Sequence, residues 1–183
     1  RWATHGGPSR ENAHPHAAGS VAVVHNGIIE NFVPLKRELM AAGKTFTSQT
    51  DTEVIAHLIS QYREEGVSIE DAVRNTVLRL KGAYSIVVLD AESPDRLVVA
   101  RQASPLVIGM GEGANFIASD MPAILGHTRR MLFMEDGTMA VVKADGIEIT
   151  QIADGSPAEA EVKEISWSPT MAEKAGYEHF MLK

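Results

Sequence analysis

No cysteine occurs anywhere in the 183 residues, which excludes disulfides, thiolate zinc sites and a cysteine nucleophile carried by these residues. Basic residues are too few to favour a phosphate-backbone partner. Lys and Arg number 17 against 24 Asp and Glu, a formal net charge of -7, whereas nucleic-acid binders need a basic face that releases counterions. No apolar run approaches the roughly 18 to 20 residues that cross a bilayer, and Arg1-Trp2-Ala3-Thr4 opens without a signal-type apolar segment, so no membrane partner and a cytoplasmic address are expected. His5, His14, His16 and His25 come without an HExxH motif, a helical His pair four residues apart or a coherent carboxylate set; neither a metal nor a cofactor is expected. A Gly-x-Ser-x-Gly elbow is also lacking, which removes the usual serine-hydrolase arrangement. What is present is ordinary for a globular domain: 44% hydrophobic and 22% charged residues, in a length that lets one core bury roughly 70% of the unfolded surface.

The first 19 residues, with their glycines, prolines and histidines, read as loop. Val21-Ala22-Val23-Val24 is a short buried-strand pattern running into His25-Asn26-Gly27, and Asn-Gly is a strong turn signal. Asn31 suits an N-cap for a helix with Phe32, Val33, Leu35, Leu39 and Met40 facing inward, Pro34 in its first turn and Gly43 closing it. Thr50 and Glu53 have capping-box spacing before Val54, Ile55, Leu58, Ile59 and Tyr62, which share one helical face. Another helix begins after Ser68, with Ile69, Ala72, Val73, Val77 and Leu80 inward. Val/Ile-rich runs at 84–89, 96–100, 106–110, 115–118, 131–134, 139–142 and 147–152 then suit an antiparallel system, with the glycines at 109, 111 and 113 in a hairpin. Helices clustered ahead of strands predict an α+β layered sandwich rather than an alternating βαβ fold. The pattern loosens after 154, so the domain is expected to span 1–160, with 161–183 as its exit and the start of a linker.

Three strings carry the chemistry: Arg1-Trp2-Ala3-Thr4-His5-Gly6 with Asn12-Ala13-His14-Pro15-His16 behind it, then His25-Asn26-Gly27-Ile28-Ile29-Glu30-Asn31, then Gln49-Thr50-Asp51-Thr52-Glu53. In this order they resemble the class II glutamine amidotransferases, and among these the glutaminase domain of the glucosamine-6-phosphate synthases (glutamine:fructose-6-phosphate aminotransferases, isomerizing). Ser104-Pro105-Leu106-Val107-Ile108-Gly109, Ala118-Ser119-Asp120 and Gly176-Tyr177-Glu178-His179-Phe180-Met181-Leu182-Lys183 match the same pattern, so the likeness covers essentially the whole chain. An Asn side chain offers N–H donors and a glycine allows close backbone approach, which suits the negative oxygen of a tetrahedral intermediate. The resemblance accordingly makes Asn26 and Gly27 the oxyanion hole. It implies that Arg1 grips the α-carboxylate of glutamine, that Asp51 pairs with the α-ammonium, and that Trp2, Thr4 and His5 lie on a loop closing over the substrate. Read alone, Asn26-Gly27 is a tight turn, Arg1 a chain end, Trp2 a partly exposed anchor and Asp51 a helix-start residue favoured by the macrodipole. His14-Pro15-His16 is expected to pack beneath the substrate loop and hydrogen-bond it.

The resemblance also implies a four-layer αββα sandwich of the N-terminal-nucleophile type, incomplete at its amino end because the family's nucleophile is an N-terminal cysteine. These residues alone are therefore expected to be inactive. The implied reaction converts L-glutamine to L-glutamate and passes ammonia to a sugar-phosphate isomerase domain that lies outside these residues, in a polypeptide expected to be homodimeric. The alternatives are the glutaminase domain of another class II amidotransferase, or a non-catalytic relative that binds glutamine.

Overall fold

The computed structural model describes residues 4–166. The chain runs β1 (His16–Ala18), β2 (Val21–Ile29), α1 (Phe32–Ala41), α2 (Thr52–Glu64), α3 (Ile69–Val77), β3 (Gly82–Asp90), β4 (Arg96–Gln102), β5 (Val107–Met110), β6 (Asn115–Ala118), β7 (Arg130–Phe133), β8 (Thr138–Lys143), β9 (Ile147–Gln151) and β10 (Glu161–Glu164), with a 3-10 turn at Met121–Ala123. Two antiparallel sheets result, a six-stranded one ordered β1-β2-β3-β4-β8-β9 and a four-stranded one ordered β10-β7-β5-β6. The helices cover one face of the larger sheet, where Leu39, Ile55, Leu58, Ile59 and Val73 pack on Val23, Ile86, Val88 and Val98. Its other face meets the smaller sheet through Val99, Ala140 and Val142 against Ile108, Leu132 and Met134. Apolar burial on both faces of each sheet is what binds the layers. The chain is an α+β sandwich. Among the described residues, the outer face of the smaller sheet is covered by the Met121–Ala123 turn, by Ile124, Leu125, His127 and Thr128 that follow it, and by Ile165.

Several local expectations give way to tertiary context. Asn26-Gly27 makes no turn: both residues lie inside the nine-residue β2, paired with Ser85 and Tyr84 of β3. Gly27 has φ +134, and a Cβ there would sit 2.0 Å from the Ala83 carbonyl oxygen. Gly82, across the ladder, has φ +119 and the same problem with the Ile28 carbonyl at 2.2 Å. The two glycines let the strand backbones approach where side chains would hold them apart.

Asn31 does not cap α1 through its side chain. Its amide instead bridges the entry to β3, donating to Arg79 O and accepting from Lys81 N, both at 2.9 Å. Only Leu35 and Leu39 of α1 are buried, while Val33 and Met40 face outward. No Thr50/Glu53 capping box forms, because Asp51 is the N-cap and Glu53 turns to the preceding loop. Residues 52–60 of α2 are buried on every side, not along one face, since α2 lies between the sheet and its sister helices. Ser68 does cap α3, accepting from Asp71 N.

Two stretches read as irregular are strands. His16–Ala18 pairs with β2, and Glu161–Glu164 pairs with β7 beyond the expected boundary at 160. An edge strand needs only backbone partners, so exposed Glu-Val-Lys-Glu carries no hydrophobic signature. Among the described residues, no helix is long and apolar enough to cross a membrane.

Candidate active site

Uncovered sheet surface creates the site. The β2 side chains that point away from the helices (Val24, Asn26, Ile28) extend past the edge of the smaller sheet and floor a cavity of about 630 Å³, within the usual range for small-molecule pockets. Thr4, His14, Gly27, Asp51 and Ser119 add polar atoms to its lining, while Val87, Leu106 and Ile117 form an apolar wall.

Two hydrogen bonds fasten the floor to the start of α2. Ile29 N donates to Asp51 Oδ2 at 2.8 Å, and His25 Nδ1 lies 3.0 Å from Thr52 Oγ1. These contacts bracket Asn26-Gly27-Ile28 and tie the strand segment to Asp51 and Thr52 at the start of α2. Asp51 is only 1% exposed, yet it reaches the cavity; its other oxygen stands 3.6 Å from His5 Nδ1. The His5 ring packs edge-on against Phe32 at 4.7 Å.

The loop ahead of Asp51 is held by a buried carboxylate. Glu53 accepts from Thr47 N at 2.8 Å, Thr47 Oγ1 at 3.0 Å, Ser48 N at 2.7 Å and Ser48 Oγ at 2.5 Å. Asn12 joins this loop to the one bearing Thr4 and His5: its Oδ1 accepts from Gln49 N, and its Nδ2 donates to Gly7 O, each at 2.9 Å. His16 Nε2 lies 3.1 Å from Thr50 Oγ1, next to Asp51.

Burial of Glu53 by itself would raise its pKa, but the hydrogen bonds from Ser48 and Thr47 together outweigh it and hold the carboxyl below its ordinary 4.5. A depressed folded-state pKa gives stability that is present above the unfolded value and lost as pH falls through the folded one. Urea-unfolding midpoints taken from about pH 6 to about pH 3 should therefore fall less steeply with acid in Glu53→Gln than in the parent; parallel profiles would refute the assignment.

Of the residues singled out from sequence, Thr4, Asn26, Gly27 and Asp51 line one cavity and His5 adjoins Asp51; Arg1 and Trp2 lie outside the described residues. A family model described as a glutamine amidotransferase domain matches residues 8–126. The chain belongs to this family. It is 51% identical to glutamine–fructose-6-phosphate aminotransferase (isomerizing) of Methanothermobacter thermautotrophicus, 54% to that of Pyrococcus horikoshii and 52% to that of Acinetobacter baylyi. Each match covers all of this chain and 30 to 31% of the relative, so the chain spans about a third of those proteins. Among solved structures it resembles the B. subtilis glutamine phosphoribosylpyrophosphate amidotransferase complexed with ADP and GMP, with TM-score 0.69 and 30% identity over 84% of this chain and 34% of that one. A class II glutamine aminotransferase domain protein from Silicibacter pomeroyi shares the fold, with TM-score 0.56 at 18% identity over 77% and 70% of the two chains.

Nothing in the sequence marks the Asn12 bridge, because it spans 37 residues to Gln49. Glu53 binds only five and six residues back, and its capping-box spacing with Thr50 points to a different partner.

Proposed function

We propose that this amidotransferase domain cleaves the side-chain amide of L-glutamine, with Asp51 taking the α-ammonium and Asn26 with Gly27 N–H stabilising the oxyanion. One observation supports this above all: a rigid strand segment places an amide side chain and a glycine on the cavity floor while its own Ile29 N–H holds a buried carboxylate at the rim. A free amino acid needs such a pairing of a counter-charge at one end with neutral donors at the other. Trp2, Thr4 and His5 are proposed for the loop over the substrate, and Arg1 for the α-carboxylate.

Attack on the side-chain amide carbon (Cδ) makes a tetrahedral oxyanion; its collapse breaks the C–N bond and releases ammonia, which leaves with the proton given up by the nucleophile, and water then frees glutamate from the acyl-enzyme. These residues contain no cysteine, so the proposed nucleophile, an N-terminal cysteine, belongs to the polypeptide outside them. By kinship with the aminotransferases above, the ammonia is proposed to reach a sugar-phosphate isomerase domain of the same protein and form glucosamine 6-phosphate from fructose 6-phosphate. A homodimeric, cytoplasmic protein, with the residues after β10 (Glu161–Glu164) leading toward that domain, completes the proposal.

Asp51→Asn in the full-length protein tests the binding half. Loss of the charge partner should raise KM for glutamine by about 10-fold or more and change kcat far less. A KM equal to that of the parent would remove the ammonium assignment.

A further inference from the structure

Of the motif Ser104-Pro105-Leu106 only Leu106 lines the cavity, and Ser104 has no part in the chemistry so far. Its hydroxyl nevertheless touches the proposed oxyanion hole: Ser104 Oγ donates to the carbonyl oxygen of Asn26 at 2.9 Å, across 78 residues of sequence. That carbonyl belongs to the same peptide group as the Gly27 N–H. In a planar trans peptide the two point in opposite directions, so fixing one fixes the other. The hydroxyl adds a side-chain restraint on this one peptide to the strand pairing of Asn26 with Ser85 and Gly27 with Tyr84, beside a glycine at φ +134.

The loop that delivers this hydroxyl is over-determined. Ala103 adopts φ +55, a left-handed conformation that a non-glycine residue keeps only where its surroundings hold it. Asp136 accepts from Ala103 N at 2.9 Å, Arg101 Nε donates to Ser104 O at 2.9 Å and Ser85 Oγ donates to Pro105 O at 3.0 Å. Arg101 itself is anchored to Met134 O and Asp136. Ser104 ends 4% exposed, with its oxygen set on one peptide.

We infer that Ser104 is a positioning residue for the glutaminase reaction: its hydroxyl latches the Asn26–Gly27 peptide so that the Gly27 N–H faces the developing oxyanion. The inference rests on the oxyanion reading of Asn26 and Gly27. The latch should matter to turnover and hardly at all to glutamine binding, since the oxyanion exists only after attack.

The test is steady-state glutamine hydrolysis by the full-length protein. Ser104→Ala should lower kcat on the order of 10- to 100-fold, less than outright loss of a hole donor, with KM within about 2-fold of the parent. Ser104→Thr, which keeps the hydroxyl, should recover most of the loss. Unchanged kcat in Ser104→Ala overturns the inference, as does a KM rise with kcat retained, which would mark Ser104 as pocket structure. Should the alanine variant fail to fold, Ser104→Thr and Ser104→Cys decide: kcat following donor strength supports the latch, and equal kcat overturns it. Asn26→Ala separates the two levels. If it leaves kcat intact the oxyanion reading itself fails, whereas a fall in kcat there but none in Ser104→Ala defeats the latch alone.

Discussion

Asn26→Ala in the full-length protein is expected to reduce glutamine turnover by about 10² to 10³ while leaving KM little changed. The asymmetry follows from when the contact is used. A ground-state amide carbonyl is weakly basic, and its oxygen gains a full charge only in the tetrahedral intermediate, so a donor aimed there acts mainly on the barrier. The Asn26 side chain stands exposed on the cavity floor, and its truncation leaves the buried core of β2 untouched. A parallel loss in affinity would mean that Asn26 grips the substrate itself. The same variant should unfold at nearly the parental urea concentration, which distinguishes lost chemistry from lost structure.

Gly27→Ala is expected to be the most disruptive added methyl among the described glycines. The new Cβ would lie 2.0 Å from Ala83 O, 2.8 Å from Ala83 C and 2.9 Å from Tyr84 Cα, all backbone atoms of the neighbouring strand. No rotamer change relieves a clash with backbone, so β2 and β3 must separate at the centre of the larger sheet. Together with the unfavourable φ of +134, the cost should exceed about 3 kcal/mol. Gly113→Ala is the natural comparison: its φ is +71, but its Cβ would meet nothing within 4 Å, so about 1 kcal/mol of backbone strain is all that should appear. Equal urea midpoints for the two variants would show that the close strand approach contributes nothing.

The difference between those two glycines illustrates which readings were possible from sequence. Asn-Gly signals a turn because Asn and Gly tolerate positive φ, and Gly27 does adopt one. The turn does not form, because pairing over nine residues from Val21↔Asp90 to Ile29↔Gly82 carries the strand straight through. Thr50 and Glu53 repeat the lesson. Their spacing marks a helix start, and α2 does begin there, but the carboxylate forms stronger bonds with the two N–H groups and two hydroxyls of residues 47–48 than a single cap would supply.

Periodicity and composition determined, by themselves, that three helices precede a strand-rich second half in an α+β class, because each is encoded by neighbours within a few residues; the third helix, read through Leu80, ends at Val77. The strings around Thr4, Asn26 and Asp51 likewise carried the family resemblance, which the match to a glutamine amidotransferase domain over residues 8–126 bears out. Only the tertiary structure decided that Asn26-Gly27 is strand rather than turn, that Asp51 hangs from Ile29 N–H, and that Ser104 reaches the Asn26 carbonyl. Each of these depends on a backbone group whose partner is far away in the chain, and since every residue carries the same N–H and C=O, no side-chain pattern marks in advance which of them will meet.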